Sequence, residues 1–159
     1  MRPWLEEKHG EPMPDHIINQ YVQRARTLLE TDLQPISHAY DVLKHVQKNY
    51  QICVASNGEK NNVHTSLRVT GLWDFFGPTR IFTKIEVEKA KPAPDLFLHA
   101  AKKMEANPEN TLVIEDSPTG IKAAKAAGMT VLGFSGTFHD PEPAAQNLSN
   151  AGADAVIPS

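Results

Sequence analysis

The spacing of apolar and polar positions divides the chain into a short helical part and a longer part with two alternating periods. Ile17, Ile18, Tyr21, Val22, Ala25, Leu28 and Leu29 form one helical stripe, with Gln23, Arg24 and Arg26 outside it. Asp15 stands where a helix cap is expected. "LQPIS" breaks the stripe, and Ser37 is placed to cap a second helix carrying Ala39, Val42, Leu43 and Val46. Short apolar runs then alternate with helical stretches. "QICVAS" predicts a strand, and a helix with Val63, Leu67 and Leu72 follows, with Gly71 at its end. "RIFTK" predicts a strand, and the proline-led "KPAPDLFLHAAKKM" a helix with Phe97, Ala100, Ala101 and Met104 on one face. "TLVIE" is a strand, Pro118 to Ala127 a helix closed by Gly128, "TVLGF" a strand, Pro143 to Asn150 a short helix and "DAVIP" a last strand.

Strand–helix alternation from Ser37 onward indicates an α/β fold. Its expected form is three layers, with a parallel sheet of Rossmann type joined by right-handed crossovers and helices on both faces. The strands read as continuous apolar runs, which predicts that both of their faces are covered. Residues 1–35 are helical with no strand beside them, and residues 36–159 carry the α/β pattern. There is no internal repeat, low-complexity tract or long linker.

Composition narrows the class further. At 159 residues and a net charge of -3, the chain suits one domain and has no basic footprint for nucleic acid or a membrane surface. No apolar run approaches the roughly 18 residues of a spanning helix, and the N-terminus lacks a signal-peptide core. The single cysteine, Cys53, lies inside an apolar run and reads as a buried thiol. These features lead us to expect a cytosolic protein.

Three polar stretches fall where ligands bind in open parallel sheets, beyond the carboxyl ends of strands. Ser56-Asn57-Gly58 offers a hydroxyl, an amide and a glycine that lets backbone N–H groups approach a phosphate; a plain turn is the other reading. Lys91 sits between a strand and a helix, fixed by Pro92 and Pro94, which suits pairing with an anion; a solvated lysine has the same pattern. Glu115 and Asp116 end an apolar strand, where carboxylates are costly without a positive partner. One or two carboxylates suffice for Mg²⁺, which keeps several waters; an acid that simply caps the next helix, beside Ser117 and Pro118, is the other reading.

Taken in order, Ser56, "KPAPD" and "EDSPTGIKAAKAAGM" closely resemble the haloacid dehalogenase superfamily. The resemblance is to its phosphatase and phosphoglucomutase branch, which carries a helical cap. "VASNGEKNNVHTSL" and "KPAPDLFLHAAKKM" look most like sugar-phosphate phosphatases, the 6-phosphogluconate phosphatases among them. The resemblance runs from about Leu33 to the end, and implies that the preceding helical segment is a remnant of the cap. It further implies that Ser56 and Lys91 are catalytic. Ser56, with Asn57 and Gly58, would hold the transferring phosphoryl group, and Lys91 would neutralise its charge. Glu115 and Asp116 would hold Mg²⁺. A phosphorylated small molecule would be the ligand.

The family's reaction starts from an aspartate nucleophile in an Asp-x-Asp motif on a first strand. No Asp-x-Asp occurs in this sequence, so the resemblance implies a first strand that is missing. The expected consequences are little or no turnover by the chain alone and weak Mg²⁺ binding. Three roles remain open: an inactive relative, a non-catalytic phosphate-binding or assembly module, and an enzyme completed by another chain's nucleophile. The missing strand would lie between those of Ser56 and Glu115. We therefore expect these two to pair directly, with Val54 and Val113 on neighbouring strands, and a homodimer to cover the remaining apolar surface.

Overall fold

The computed structural model describes residue 10 and residues 14–158. Two helices lead, α1 (Asp15–Thr31) and α2 (Ala39–Val46), followed by β1 (Val54–Ser56), α3 (Lys60–Val69), α4 (Trp73–Phe76) and β2 (Ile81–Thr83). Next come α5 (Asp95–Lys103), β3 (Leu112–Glu115), α6 (Pro118–Ala126), β4 (Thr130–Phe134), α7 (Pro141–Asn150) and β5 (Ala155–Ile157). The α/β alternation is as expected, and every strand pair is parallel.

The expected single sheet is instead two. β1 pairs only with β2, and β3–β4–β5 form a second sheet. Val54 faces Ile81 and Val113 faces Val131, so the predicted direct pairing of Val54 with Val113 does not occur. Ladder geometry shows which peptide groups face the gap between the two edges. Alternate residues of a strand address opposite neighbours. Val54 N–H bonds Arg80 O at 2.9 Å, which turns the peptide groups of Ala55 away from β2. Thr130 N–H bonds Thr111 O at 3.1 Å, which turns those of Leu112 and Ile114 away from β4. Between these edges Lys91 takes the Ala55 carbonyl oxygen with its ammonium, at 3.0 Å.

Nor are both faces of each strand covered. On β2 the alternation is two-sided: Ile81 packs with Phe75, Phe76 and Val54 under α3 and α4, while Phe82 packs with Leu96 and Ala100 of α5. On β3 only Val113 is buried, and Leu112 and Ile114 are exposed, because the helices α6 and α7 lie on one face of the second sheet. An apolar run therefore marks these strands without implying two covered faces. The largest core joins Phe97 and Ala101 of α5, Ile121, Ala123 and Ala124 of α6, Val113, Val131 and Leu148. α5 thus touches both sheets: Leu96 and Ala100 face the first, Phe97 and Ala101 the second.

Smaller expectations also shift. The cap of α1 falls on Pro14 and that of α2 on His38, which adopts a left-handed backbone (φ 65), so neither Asp15 nor Ser37 occupies the cap position. Ser117 does cap α6 as expected, accepting a hydrogen bond from Gly120 N–H. Cys53 is exposed, not buried, since Ile52 and Val54 on either side of it pack into the first core and Cys53 points to the opposite face. α1, within the expected cap segment, buries no residue and packs on α3. Among the described residues, no helix is long and apolar enough to cross a membrane.

The second sheet is tied to α6 by Asp154. Its carboxylate accepts two bonds from Lys125 Nζ (2.7 and 2.8 Å) and one from Val131 N–H (2.7 Å). The bonds from Lys125 and then from Val131 hold its carboxyl below the ordinary value. A carboxyl with a lowered folded value contributes stability above its unfolded pKa and loses it as pH falls through the folded one. Asp154→Asn is therefore expected to melt lower than the parent at pH 7, with the gap closing on acidification below the usual carboxylate range. Melting curves from pH 7 to 3 check this, and a gap that stays constant would contradict it.

Candidate functional site

The cleft between the unpaired edges of β1 and β3 has a volume of about 620 Å³. Ser56, Asn57 and Gly58 line it from the end of β1, Lys91 from the loop before α5, and Glu115, Asp116 and Ser117 from the β3–α6 junction. The structure thus brings together all six residues singled out in the sequence, from segments far apart in the chain.

Each is held differently. Gly58 N–H donates to Ser56 Oγ at 3.0 Å, which orients the hydroxyl and leaves its hydrogen free to donate. Asn57 turns its amide toward the backbone of Lys91. Its Nδ2 donates to Lys91 O at 3.1 Å, and its Oδ1 accepts from Lys91 N–H at 3.2 Å. Asn57 thus clamps the backbone of Lys91, and its Nδ2 keeps one further hydrogen to donate. Gly58 is close-packed: a Cβ there would come 2.9 Å from Val63 Cγ2 and 3.1 Å from Ser56 Oγ.

Lys91 and Glu115 form the electrostatic centre. The ammonium donates to Glu115 Oε1 and to Ala55 O, and lies 4.3 Å from the Phe97 ring centroid. The two side chains are 6% and 11% exposed, so this ion pair is buried. Glu115 Oε2 accepts from Ser117 Oγ at 2.9 Å and from Ser117 N–H at 3.3 Å. The carboxylate therefore rests at the N-terminal end of α6, where helix N–H groups favour negative charge. The positive partner of the strand-end acid is Lys91.

The adjacent acids consequently have separate roles. Glu115 has both oxygens engaged, whereas Asp116 is exposed and, among the described residues, has no hydrogen bond or ion pair. No group of three or more histidine, cysteine, aspartate or glutamate side chains able to hold a metal occurs among the described residues. Asp116 alone fits Mg²⁺ as an oxygen ligand whose remaining positions are water; Glu115 fits it poorly while it is paired with Lys91.

Chemically, the cleft presents hydroxyl and backbone donors suited to an anion with several acceptor oxygens, while its one cation, Lys91, is already paired with Glu115 and stands beside Asp116. No histidine or cysteine lines it, and Asp116 is its only aspartate among the described residues. Ser56 Oγ accepts from Gly58 N–H and has no hydrogen bond to a general base among the described residues, whereas a carboxylate such as Asp116 needs no such activation. Sequence reasoning placed Phe97 on a helix face and Gly120 within a motif but assigned neither to the site; the Phe97 ring supports Lys91, and the Glu115 carboxylate lies against Gly120.

The profile of the haloacid dehalogenase-like hydrolase family matches residues 2–134. The chain is 31% identical over 126 residues to 6-phosphogluconate phosphatase of Escherichia coli, an alignment covering 79% of this chain and 54% of that protein. It thus spans about half the length of that relative. Among solved structures, a haloacid dehalogenase-like protein of unknown function from Agrobacterium tumefaciens superposes with a TM-score of 0.86 at 30% identity, covering 98% of this chain and 69% of the other. A hydrolase of the same family from Deinococcus radiodurans, solved with bound phosphate and sodium, gives 0.82 at 31% identity, covering 99% and 69%.

Proposed function

This chain belongs to the haloacid dehalogenase-like hydrolase family, and from that premise we propose that it is the phosphoryl-binding part of a sugar-phosphate phosphatase and turns over little or no substrate by itself. The carrying observation is the buried Lys91 ammonium in a cleft edged by Ser56 and Gly58. A phosphate monoester entering there meets a fixed cation and an oriented hydroxyl, which is the positioning and charge stabilisation that phosphoryl transfer requires. The Deinococcus relative, solved with phosphate, supports the ligand class. Mg²⁺, when bound through Asp116 and water, would add charge neutralisation for the phosphoryl oxygens; the single uncommitted carboxylate makes that binding weak. The missing element is a nucleophile, since the sequence contains no Asp-x-Asp.

The test pairs binding with turnover. Calorimetry is expected to show inorganic phosphate binding that strengthens modestly with Mg²⁺. Assays with 6-phosphogluconate and other sugar phosphates are expected to stay at background. Robust Mg²⁺-dependent hydrolysis by the purified chain would overturn the claim of inactivity, and absence of phosphate binding would overturn the binding role.

A second reading has its own observation. The N–H of Ala55, the peptide groups of Ile114 along the cleft and those of Leu112 further down the same edge have no ladder partners among the described residues, a setting in which an extended segment can pair once Lys91 releases Ala55 O. An aspartate brought in on such a segment, including one from a second copy in a homodimer, would complete the reaction. This reading expects a turnover rate that rises faster than linearly with protein concentration; a rate proportional to concentration, or none at all, counts against it.

A further inference from the structure

We propose that Gly120 is a positioning residue for the phosphoryl-binding cation: its missing side chain is the seat of the Glu115 carboxylate, and through it of Lys91. Gly120 lies inside α6 and is buried. A glycine within a helix costs about 1 kcal/mol relative to alanine. The usual reason for accepting that cost, a left-handed backbone, is absent, because the positive-φ glycines are at other positions. Space is the reason instead. A Cβ at Gly120 would stand 2.0 Å from Glu115 Cδ and 2.2 Å from each carboxylate oxygen.

The carboxylate has no second place to go while its bonds hold. Oε1 is bound to Lys91 and Oε2 to Ser117 Oγ, which in turn accepts from Gly120 N–H at 3.0 Å. A methyl group at position 120 would therefore push Glu115 off its seat and withdraw the acceptor that fixes Lys91 in the cleft. Nearby Ala123 and Ala124, both fully buried, show that α6 packs against the core with Cβ atoms in place. The space at 120 thus serves the carboxylate rather than helix packing.

This inference rests on the reading of Lys91 as the phosphate-binding cation, but its test does not. Gly120→Ala is compared with the parent by the rate at which acetic anhydride modifies each lysine, mapped by mass spectrometry, with exposed Lys122 and Lys125 as internal references. Lys91 is expected to react several-fold faster in Gly120→Ala while the references are unchanged. Phosphate affinity is expected to fall at least about tenfold, the scale of one charge-assisted hydrogen bond. The second variant is Gly120→Ala with Glu115→Asp, whose carboxylate is one methylene shorter and retreats from the new methyl. Alone, Glu115→Asp is expected to loosen Lys91; with the carboxylate already withdrawn from its seat, adding Gly120→Ala is expected to speed Lys91 modification no further. Should Gly120→Ala fail to fold, the double variant is expected to fold. Unchanged Lys91 reactivity in Gly120→Ala, simple additivity in the double variant, or a double variant that does not fold would overturn the proposal. If the parent binds no phosphate, the proposed function fails, while the lysine rates still decide the role of Gly120.

Discussion

Lys91→Met is expected to destabilise the protein by about 3–5 kcal/mol, the cost of stripping one partner from a buried ion pair. The magnitude depends on burial. Exposed pairs contribute only about 0–1 kcal/mol because water and salt screen them, and the Lys125–Asp154 pair, 39% and 44% exposed, is closer to that class. Lys91 and Glu115 are 6% and 11% exposed, so the carboxylate left behind would sit in the protein with only the Ser117 bonds to satisfy it. Most of the cost is that stranded charge rather than the worth of the pair. Lys91→Met combined with Glu115→Met removes both charges and is expected to recover most of the lost stability. Neither variant should bind phosphate, since the cation is absent from both. Urea unfolding with phosphate calorimetry separates the two effects. A single variant as stable as the parent would show that the pair is solvated, and phosphate binding retained by the double variant would place the anion elsewhere.

How much of this was legible in the sequence follows from the range of each interaction. Local signals were read well. Ser117 with Pro118 marks the start of α6, and Gly128 (φ 76) its end, because caps and left-handed glycines act within one turn. The six candidate residues converge on one cleft because strand ends in parallel sheets gather on one side. Long-range choices were not legible. The Asn57 clamp on Lys91 spans 34 residues, and an asparagine in a Ser-Asn-Gly turn reads as a ligand donor as readily as a backbone clamp. Glu115 and Asp116 look alike as letters; only the structure gives one to Lys91 and leaves the other in solvent. The split of the sheet was hidden for a related reason. The apolar run "TLVIE" specifies a strand but not which of its edges is paired, and Leu112 and Ile114 remain exposed on it. Gly120 could have been singled out by asking why a glycine interrupts an alanine-rich helix whose ends are already marked.

Phe97→Ala is expected to cost about 3–5 kcal/mol, as large-to-small changes at buried aromatics do, and to unfasten one sheet more than the other. The two sheets share no ladder, so their relative position depends on contacts that bridge them: packing across α5, Ala55 of β1 against the second core, and Lys91 between Ala55 O and Glu115. Consecutive residues of that helix point to different cores. Leu96, fully buried, packs with Phe82 of the first sheet, and Phe97 packs in the cluster that contains Val113 and Val131 of the second. Truncating Phe97 removes its contacts on the second side while Leu96 and Ala100 keep α5 on the first. Hydrogen exchange is then expected to rise in β3 and β4 more than in β1 and β2. Leu96→Ala should show the reverse order. The ring also supports the Lys91 ammonium at 4.3 Å, a contact of about 0.5–2 kcal/mol, so Phe97→Ala should weaken phosphate binding, whereas Leu96→Ala should leave it nearer to the parent. Equal loss of protection in both sheets for both variants would mean that the sheets unfold as one unit, and that α5 is a common core element rather than the fastening between them.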